Sequence, residues 1–173
     1  MKNVLELENI DKRFGGVHAL RGASLSARSA EIHAICGENG AGKSTILKIL
    51  SGVYPRASYD GTVRVHGQER VFETTRDAEN AGIAIVHQEL MLVPELSVAQ
   101  NLMLGRERPG QGIFQTIDDD QMEADAARLL ARFGVEREVD PLAPVGTLGI
   151  GLQQVVEIVR ALSRKAIILI LDE

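Results

Sequence analysis

Gly37-Glu38-Asn39-Gly40-Ala41-Gly42-Lys43-Ser44 matches the pattern G-x-x-x-x-G-K-[ST]. A short apolar run, Ile32 to Cys36, precedes it. A segment with Ile46, Leu47 and Leu50 on one helical face follows, and Gly52 stands just past its end. The setting predicts a buried strand, a loop and a helix. Glycines let a backbone curl around a phosphate without Cβ clashes. The curled amides and the helix N-terminus then offer donors and a positive dipole end to the anion. Lys43 is expected to reach the β- and γ-phosphates of a nucleotide, and the Ser44 hydroxyl to ligate Mg²⁺, with Thr45 nearer the α-phosphate. The alternative is a glycine-rich strand-to-helix turn that happens to contain a lysine, which composition alone rarely produces in a chain this long.

Outward from this loop, two kinds of strand signal appear. Leu5 and Leu7 alternate with Glu6 and Glu8, Ala23, Leu25 and Ala27 with Ser24, Ser26 and Arg28, and Val63 and Val65 with Thr62, Arg64 and His66. Gly67-Gln68 is a turn signal leading to Val71 and Phe72. These segments predict a small antiparallel sheet with one wet face. Ile32 to Cys36, Ile83 to Val86 and Ile167 to Leu171 are short and mostly apolar on both faces, the pattern of strands covered on both sides by helices. Thr74 or Thr75 is expected to cap a helix stopping at Gly82, and Ser97 with Gln100 forms a capping box opening a segment through Leu104. Asp118 is expected to cap a helix reaching Phe133, and Val155, Ile158, Val159 and Leu162 to stripe the last helix. Residues 105–117 and 134–152 read as loops. Strands alternating with helices give an α/β core, and the helical stretch from about 97 to 160 reads as an inserted subdomain.

The whole chain fits an ordinary globular protein. It has 173 residues, 45% apolar and 25% charged, with a net charge of −5. The acidic balance argues against a nucleic-acid partner, and aromatic residues at 3% argue against a base-stacking platform for single strands. No run approaches a membrane span, and the N-terminus carries no secretory pattern. A single cysteine, Cys36, cannot form an internal disulfide, which fits a reducing cytoplasm. Cys36 reads as a small buried hydrophobe, Asp118-Asp119-Asp120 as a helix cap, and the four histidines lack zinc-ligand spacing.

The predicted strand 167–171 ends in Asp172-Glu173. Ligands of open α/β sheets bind at the carboxyl ends of strands. Asp172 is therefore expected to hold Mg²⁺ and Glu173 to act as general base on the attacking water. Charged residues also end strands for no further reason, and the phosphate loop upstream is what favours the ligand reading.

The ordered set of motifs resembles the ATP-binding subunit of an ABC transporter over essentially the whole chain. It is most similar to the sugar-importer branch, which carries stretches like GENGAGKST at 37–45, KILSGVYP at 48–55, HQEL at 87–90 and QNLMLGRE at 100–107. The resemblance implies a P-loop NTPase core with a small antiparallel β subdomain and an inserted helical subdomain. The core is assigned to 1–96 and 161–173 and the helical subdomain to 97–160. It implies ATP and Mg²⁺ as cofactors. It also implies that Phe14, 29 residues before Lys43, stacks on adenine, a core phenylalanine being the alternative. Gln88 matches a glutamine that touches Mg²⁺ or the attacking water. Leu148-Gly149-Ile150-Gly151-Leu152-Gln153-Gln154 matches the signature segment, whose Gly149 and Gly151 face the ATP of a second ATPase domain. Gly149 stands where the family places serine, so the γ-phosphate loses a hydroxyl donor. The implied partners are transmembrane permease subunits, the second ATPase domain and, indirectly, an extracytoplasmic sugar-binding protein, with the chain peripheral on the inner face of the cell membrane.

The family's domain continues with a D-loop and a switch histidine. His18, His33, His66 and His87 all precede Asp172, so none can be that histidine. The chain is therefore expected to be a fragment, incomplete at its C-terminus, that hydrolyses ATP poorly alone. An ATP-binding module that does not hydrolyse, structural or regulatory, is the second reading.

Overall fold

The computed structural model describes residues 2–106, 118–163 and 166–172. Strands β1 (Asn3–Phe14) and β2 (Val17–Arg28) form an antiparallel hairpin. β1 pairs on its other edge with β3 (Asp60–Val65), and β3 pairs with β4 (Gln68–Arg70), giving the order β2-β1-β3-β4. The alternation read from the sequence sets the faces. Leu5, Leu7, Val63 and Val65 are buried, while Glu8 on the opposite face pairs with Arg64 at 2.5 Å.

The alternation does not run to the end of β1. The register shifts between Leu7 and Ile10 on the β2 side and between Glu8 and Asp11 on the β3 side, and Asn9 has φ 51°. This is a β-bulge, and one extra residue reverses which parity faces inward. Buried positions change from Leu5 and Leu7 to Ile10 and Lys12. Gly61 makes the bulge possible. A Cβ there, at φ 99°, would stand 2.4 Å from the Asn9 carbonyl oxygen.

Helix α1 (Lys43–Leu50) buries Ile46, Ile49 and Leu50. It stops at Gly52, where a Cβ would lie 2.3 Å from the Thr74 carbonyl oxygen. Helix α2 (Thr75–Asn80) starts at a capping box made by Thr74 and Asp77. Strand β5 (Ile83–Val86) lies beside β6 (Ile168–Leu171) in a second, two-stranded sheet. The Gly82 carbonyl accepts from the Ile167 and Ile168 N–H groups, so the two strands begin side by side. One core joins Leu7, Ile10, Ile49, Leu50, Phe72, Ile83 and Ile170.

The expected strand at 32–36 does not form. Residues 31–38 carry no regular element, Ile32 is fully exposed, and Cys36 is exposed rather than buried. An apolar run becomes a strand only where a neighbour accepts its ladder. Among the described residues no strand pairs with this segment.

The chain divides into two compact units. One runs to Ile85 and takes back the C-terminal stretch that carries β6 and ends at Asp172; the other begins at Val86. In the second, α3 (Val98–Met103) packs with α4 (Asp119–Arg132) and α5 (Ile150–Ser163) around Val98, Leu102, Ala126, Leu130, Val156 and Val159. Ser97 and Gln100 form the expected capping box, and the Asp118 carboxylate accepts from the Gln121 N–H. On α5 Val159 is buried as expected, but Val156 is buried with it while Val155, Ile158 and Leu162 are only half-buried. Of the expected loop at 105–117, only Gly105 and Arg106 lie within the described residues.

Asn101 fastens the segment that enters α3. It is fully buried, its Oδ1 accepts from the Val93 N–H at 2.8 Å, and its Nδ2 donates to the carbonyls of Val93, Leu96 and Ser97. Asn101→Leu should take from the Val93 N–H its acceptor, remove the three bonds that Nδ2 donates and lower stability by about 1–3 kcal/mol, read as a shifted urea midpoint.

The α2 cap predicts a pH effect. The Asp77 carboxyl is held below its ordinary value of 3.8 by hydrogen bonds from the Thr74 hydroxyl and from the Thr74 and Glu73 N–H groups. A carboxyl lowered in the folded state stabilises above its unfolded pKa and stops doing so as pH falls through its folded pKa. The stability gap between the native chain and Asp77→Asn should be full at neutral pH and close below about pH 4, measured by urea unfolding across that range.

Candidate functional site

The phosphate-loop sequence folds around its own lysine. The Lys43 ammonium donates to the carbonyls of Gly37 at 2.6 Å and Glu38 at 2.9 Å, and the Ala41 N–H closes a turn onto Glu38 at 3.1 Å. Gly40 and Gly42 hold φ values of 86° and 90°, a region that costs other residues dearly. Within the loop, Gly42 makes the tightest approach. A Cβ there would stand 2.6 Å from the Leu20 side chain and 2.8 Å from the Ala19 carbonyl oxygen. The loop therefore sits directly on β2, close to the turn joining Phe14 to Val17.

Helix α1 begins in this loop without a cap. Its N-cap is Gly42, no side chain accepts from its first turn, and no acidic residue lies there. Helices α2, α3 and α4 are all capped, by Thr74, Ser97 and Asp118. The first N–H groups of a helix have no intrahelical acceptor, so α1 alone of these presents bare donors beside an ammonium. That arrangement fits an anion with several oxygens. Gly37, Asn39, Gly40, Ala41 and Ser44 are exposed and Thr45 half-buried, so a ligand can reach them. The Ser44 hydroxyl stands in the first turn, where it can add one oxygen to a Mg²⁺ shell completed by phosphate and water. Among the described residues no cluster of His, Cys, Asp or Glu would hold a metal alone.

Phe14 closes the hairpin opposite Val17 and is 40% exposed, which leaves ring surface available. Asp172 directly follows β6 and is half-buried, in the same unit as the loop. Glu173, the expected general base, lies outside the described residues.

Gln88, Gly149 and Gly151 belong to the second unit. Gln88 is exposed, two residues past β5. The Gly149 carbonyl accepts from the Leu152 and Gln153 N–H groups and so opens α5, while Gln153 Nε2 donates to the Leu148 carbonyl at 2.8 Å. Both glycines are exposed, and a Cβ on either would meet nothing within 4 Å. A serine would fit at 149.

Three supporting residues escaped the sequence reading. Arg160 on α5 donates to the Met91 carbonyl at 2.8 Å and, with Asn101, ties down the segment after Gln88. Lys12 is buried beneath Phe14. Asn101 had a signal, an amide on an otherwise apolar helical face. Lys12 had none, because the bulge at Asn9 decides its direction.

Comparison with known proteins identifies the family. The family model described as ABC transporter matches residues 20–173. The xylose import ATP-binding protein XylG of Moorella thermoacetica is 49% identical over 98% of this chain and 33% of its own length. A putative ribose/galactose/methyl galactoside import ATP-binding protein of Burkholderia cenocepacia is 51% identical over 99% of this chain and 32% of its own. The chain thus spans about a third of the curated relatives it matches. A crystal structure of a nucleotide-free ATP-binding cassette from an ABC transporter superposes with a TM-score of 0.80 at 26% identity, over 99% of this chain and 69% of that one. With the family model matched over residues 20–173 and relatives about half identical over nearly its whole length, the chain belongs to the ABC transporter ATP-binding family.

Proposed function

We propose that this chain is the nucleotide-binding part of a sugar importer's ATPase, coupling ATP binding and hydrolysis in a longer protein to uptake across the cytoplasmic membrane. The observation that carries the reading is the uncapped N-terminus of α1, set by Gly42 against β2 with Lys43 beside it. In this reading Lys43 and the loop amides hold the triphosphate, Ser44 and Asp172 share Mg²⁺ with Gln88, and Phe14 stacks on the base. Glu173 activates water. Gly149 and Gly151 complete the site of a second ATPase domain. The core is 1–96 with 161–173, and 97–160 is the helical subdomain. The partners are permease subunits and, through them, an extracytoplasmic sugar-binding protein, with the chain on the cytoplasmic face. Similarity to xylose and ribose/galactose import proteins supports sugar as the cargo. No helix among the described residues is long and apolar enough to cross a membrane.

Gly149 favours a second reading, an ATP-binding module without turnover, since no hydroxyl stands at that position. The two readings separate in the longer protein, where the importer requires ATP turnover and the module shows binding alone.

Titration of the chain with MgATP tests the first reading. Lys43→Ala should weaken binding about 10- to 100-fold, the worth of a charged hydrogen bond. Gly42→Ala should abolish binding and lower stability by at least about 1–2 kcal/mol, from the left-handed backbone alone. Equal affinity in all three proteins would exclude a phosphate site at this loop. Gly149→Ser should leave stability within about 0.5 kcal/mol and, in the longer protein, raise turnover if the missing hydroxyl is what limits it.

A further inference from the structure

Lys12 is the only charged side chain of β1 on the buried face, 6% exposed. Among the described residues no carboxylate lies within ion-pair reach of it. Its Nζ donates to the Ser58 carbonyl at 2.6 Å and stands over two rings, 4.9 Å from the centroid of Phe14 and 4.7 Å from that of Tyr54. The rings are 5.4 Å apart and tilted by 58°. A buried ammonium without a counter-charge is costly. Here one carbonyl and two π faces compensate it.

Two backbone features hold the arrangement in place. The bulge at Asn9 turns Lys12 inward. On the other side, the Tyr54 N–H donates to the Lys48 carbonyl in the last turn of α1. Tyr54 is thereby fixed to the helix whose first turn carries the phosphate loop. The ring of Phe14 is held between these two, covered on one face by the ammonium and still 40% exposed.

We propose that Lys12 is a positioning residue for the nucleotide base. Its ammonium fixes the Phe14 ring by one face and draws π-electron density toward itself. The opposite face becomes electron-poor and takes an electron-rich purine. This rests on the reading of Phe14 as the base-stacking residue. The Lys12 ammonium is engaged by the Ser58 carbonyl and the two rings, so its effect should be confined to ligands that carry a base.

The test measures affinity of the whole chain for MgATP and for magnesium tripolyphosphate, which has no base. Five variants are compared: Phe14→Ala, Lys12→Met, Lys12→Gln, Lys12→Arg and the double variant Phe14→Ala with Lys12→Gln. Lys12→Gln keeps a donor for the Ser58 carbonyl, so it stands in if Lys12→Met fails to fold. Phe14→Ala and the neutral Lys12 variants should each weaken MgATP roughly threefold to tenfold. Tripolyphosphate affinity should stay unchanged. The double variant should bind MgATP no more weakly than Phe14→Ala alone, and Lys12→Arg should restore most of the loss. If Phe14→Ala weakens MgATP but neither neutral Lys12 variant does, the proposal fails and base stacking stands. If the Lys12 variants weaken both ligands equally, Lys12 is only structural and the proposal fails. If Phe14→Ala changes nothing, the stacking reading fails and the proposal fails with it.

Discussion

Gly42 rests against Ala19 and Leu20 with no room for a single added carbon. That contact fixes much of the first unit's site. It holds the loop against the hairpin and forces a left-handed backbone at the residue before α1. The helix then starts with glycine where a capping side chain would otherwise sit. The stability a cap would contribute, about 1 kcal/mol, is forgone and the N–H groups stay open. The same contact sets the loop near the hairpin turn, where Phe14 lies. The open donors, the ammonium and the half-exposed ring thus follow from one close approach between a glycine and a strand.

The sequence announced the elements better than their surroundings. Capping at Thr74, Ser97 and Asp118 was legible because a cap is a local event, decided by a side chain and an N–H three residues on. Leu5, Leu7, Val63 and Val65 were legible because period-two alternation is local as well. Ile32 to Cys36 misled for the opposite reason. Its pattern describes a strand that has partners, and partners are not a local property. The last helix was found with Val159 on its buried face, but Val156 rather than Val155 is the fully buried partner, since the two are equally apolar and only packing chooses between them. In the site, the loop's chemistry could be read from glycine spacing and Lys43. The support beneath Phe14 could not, because the bulge at Asn9, with its φ of 51°, brings Ile10 and Lys12 to the buried side.

The two units keep polar order by different means. In the first, buried polarity is concentrated at Lys12 and balanced by π faces and one carbonyl. In the second, Asn101 and Arg160 spend their hydrogen bonds on backbone carbonyls of residues 91–97, and Glu157, itself buried, lies 3.8 Å from Arg160. Both tether an irregular segment that has no ladder of its own. Such segments are where the opening free energy of a native protein is lowest. Those tethers therefore set how freely the stretch beyond Gln88 can move.

The pairing of β5 with β6 carries a kinetic consequence. These strands are neighbours in one sheet, yet the whole second unit lies between them in the chain. Joining them early in folding means closing a very long flexible loop, and contacts of that sequence separation slow folding. Helices α3, α4 and α5 need only contacts among themselves. Once they have packed, the intervening chain is a compact body with far fewer conformations left to lose. The two-stranded sheet is thus a late event, assembled after the insertion between its strands has condensed. The first hairpin, whose strands are joined by Gly15 and Gly16, depends on neither.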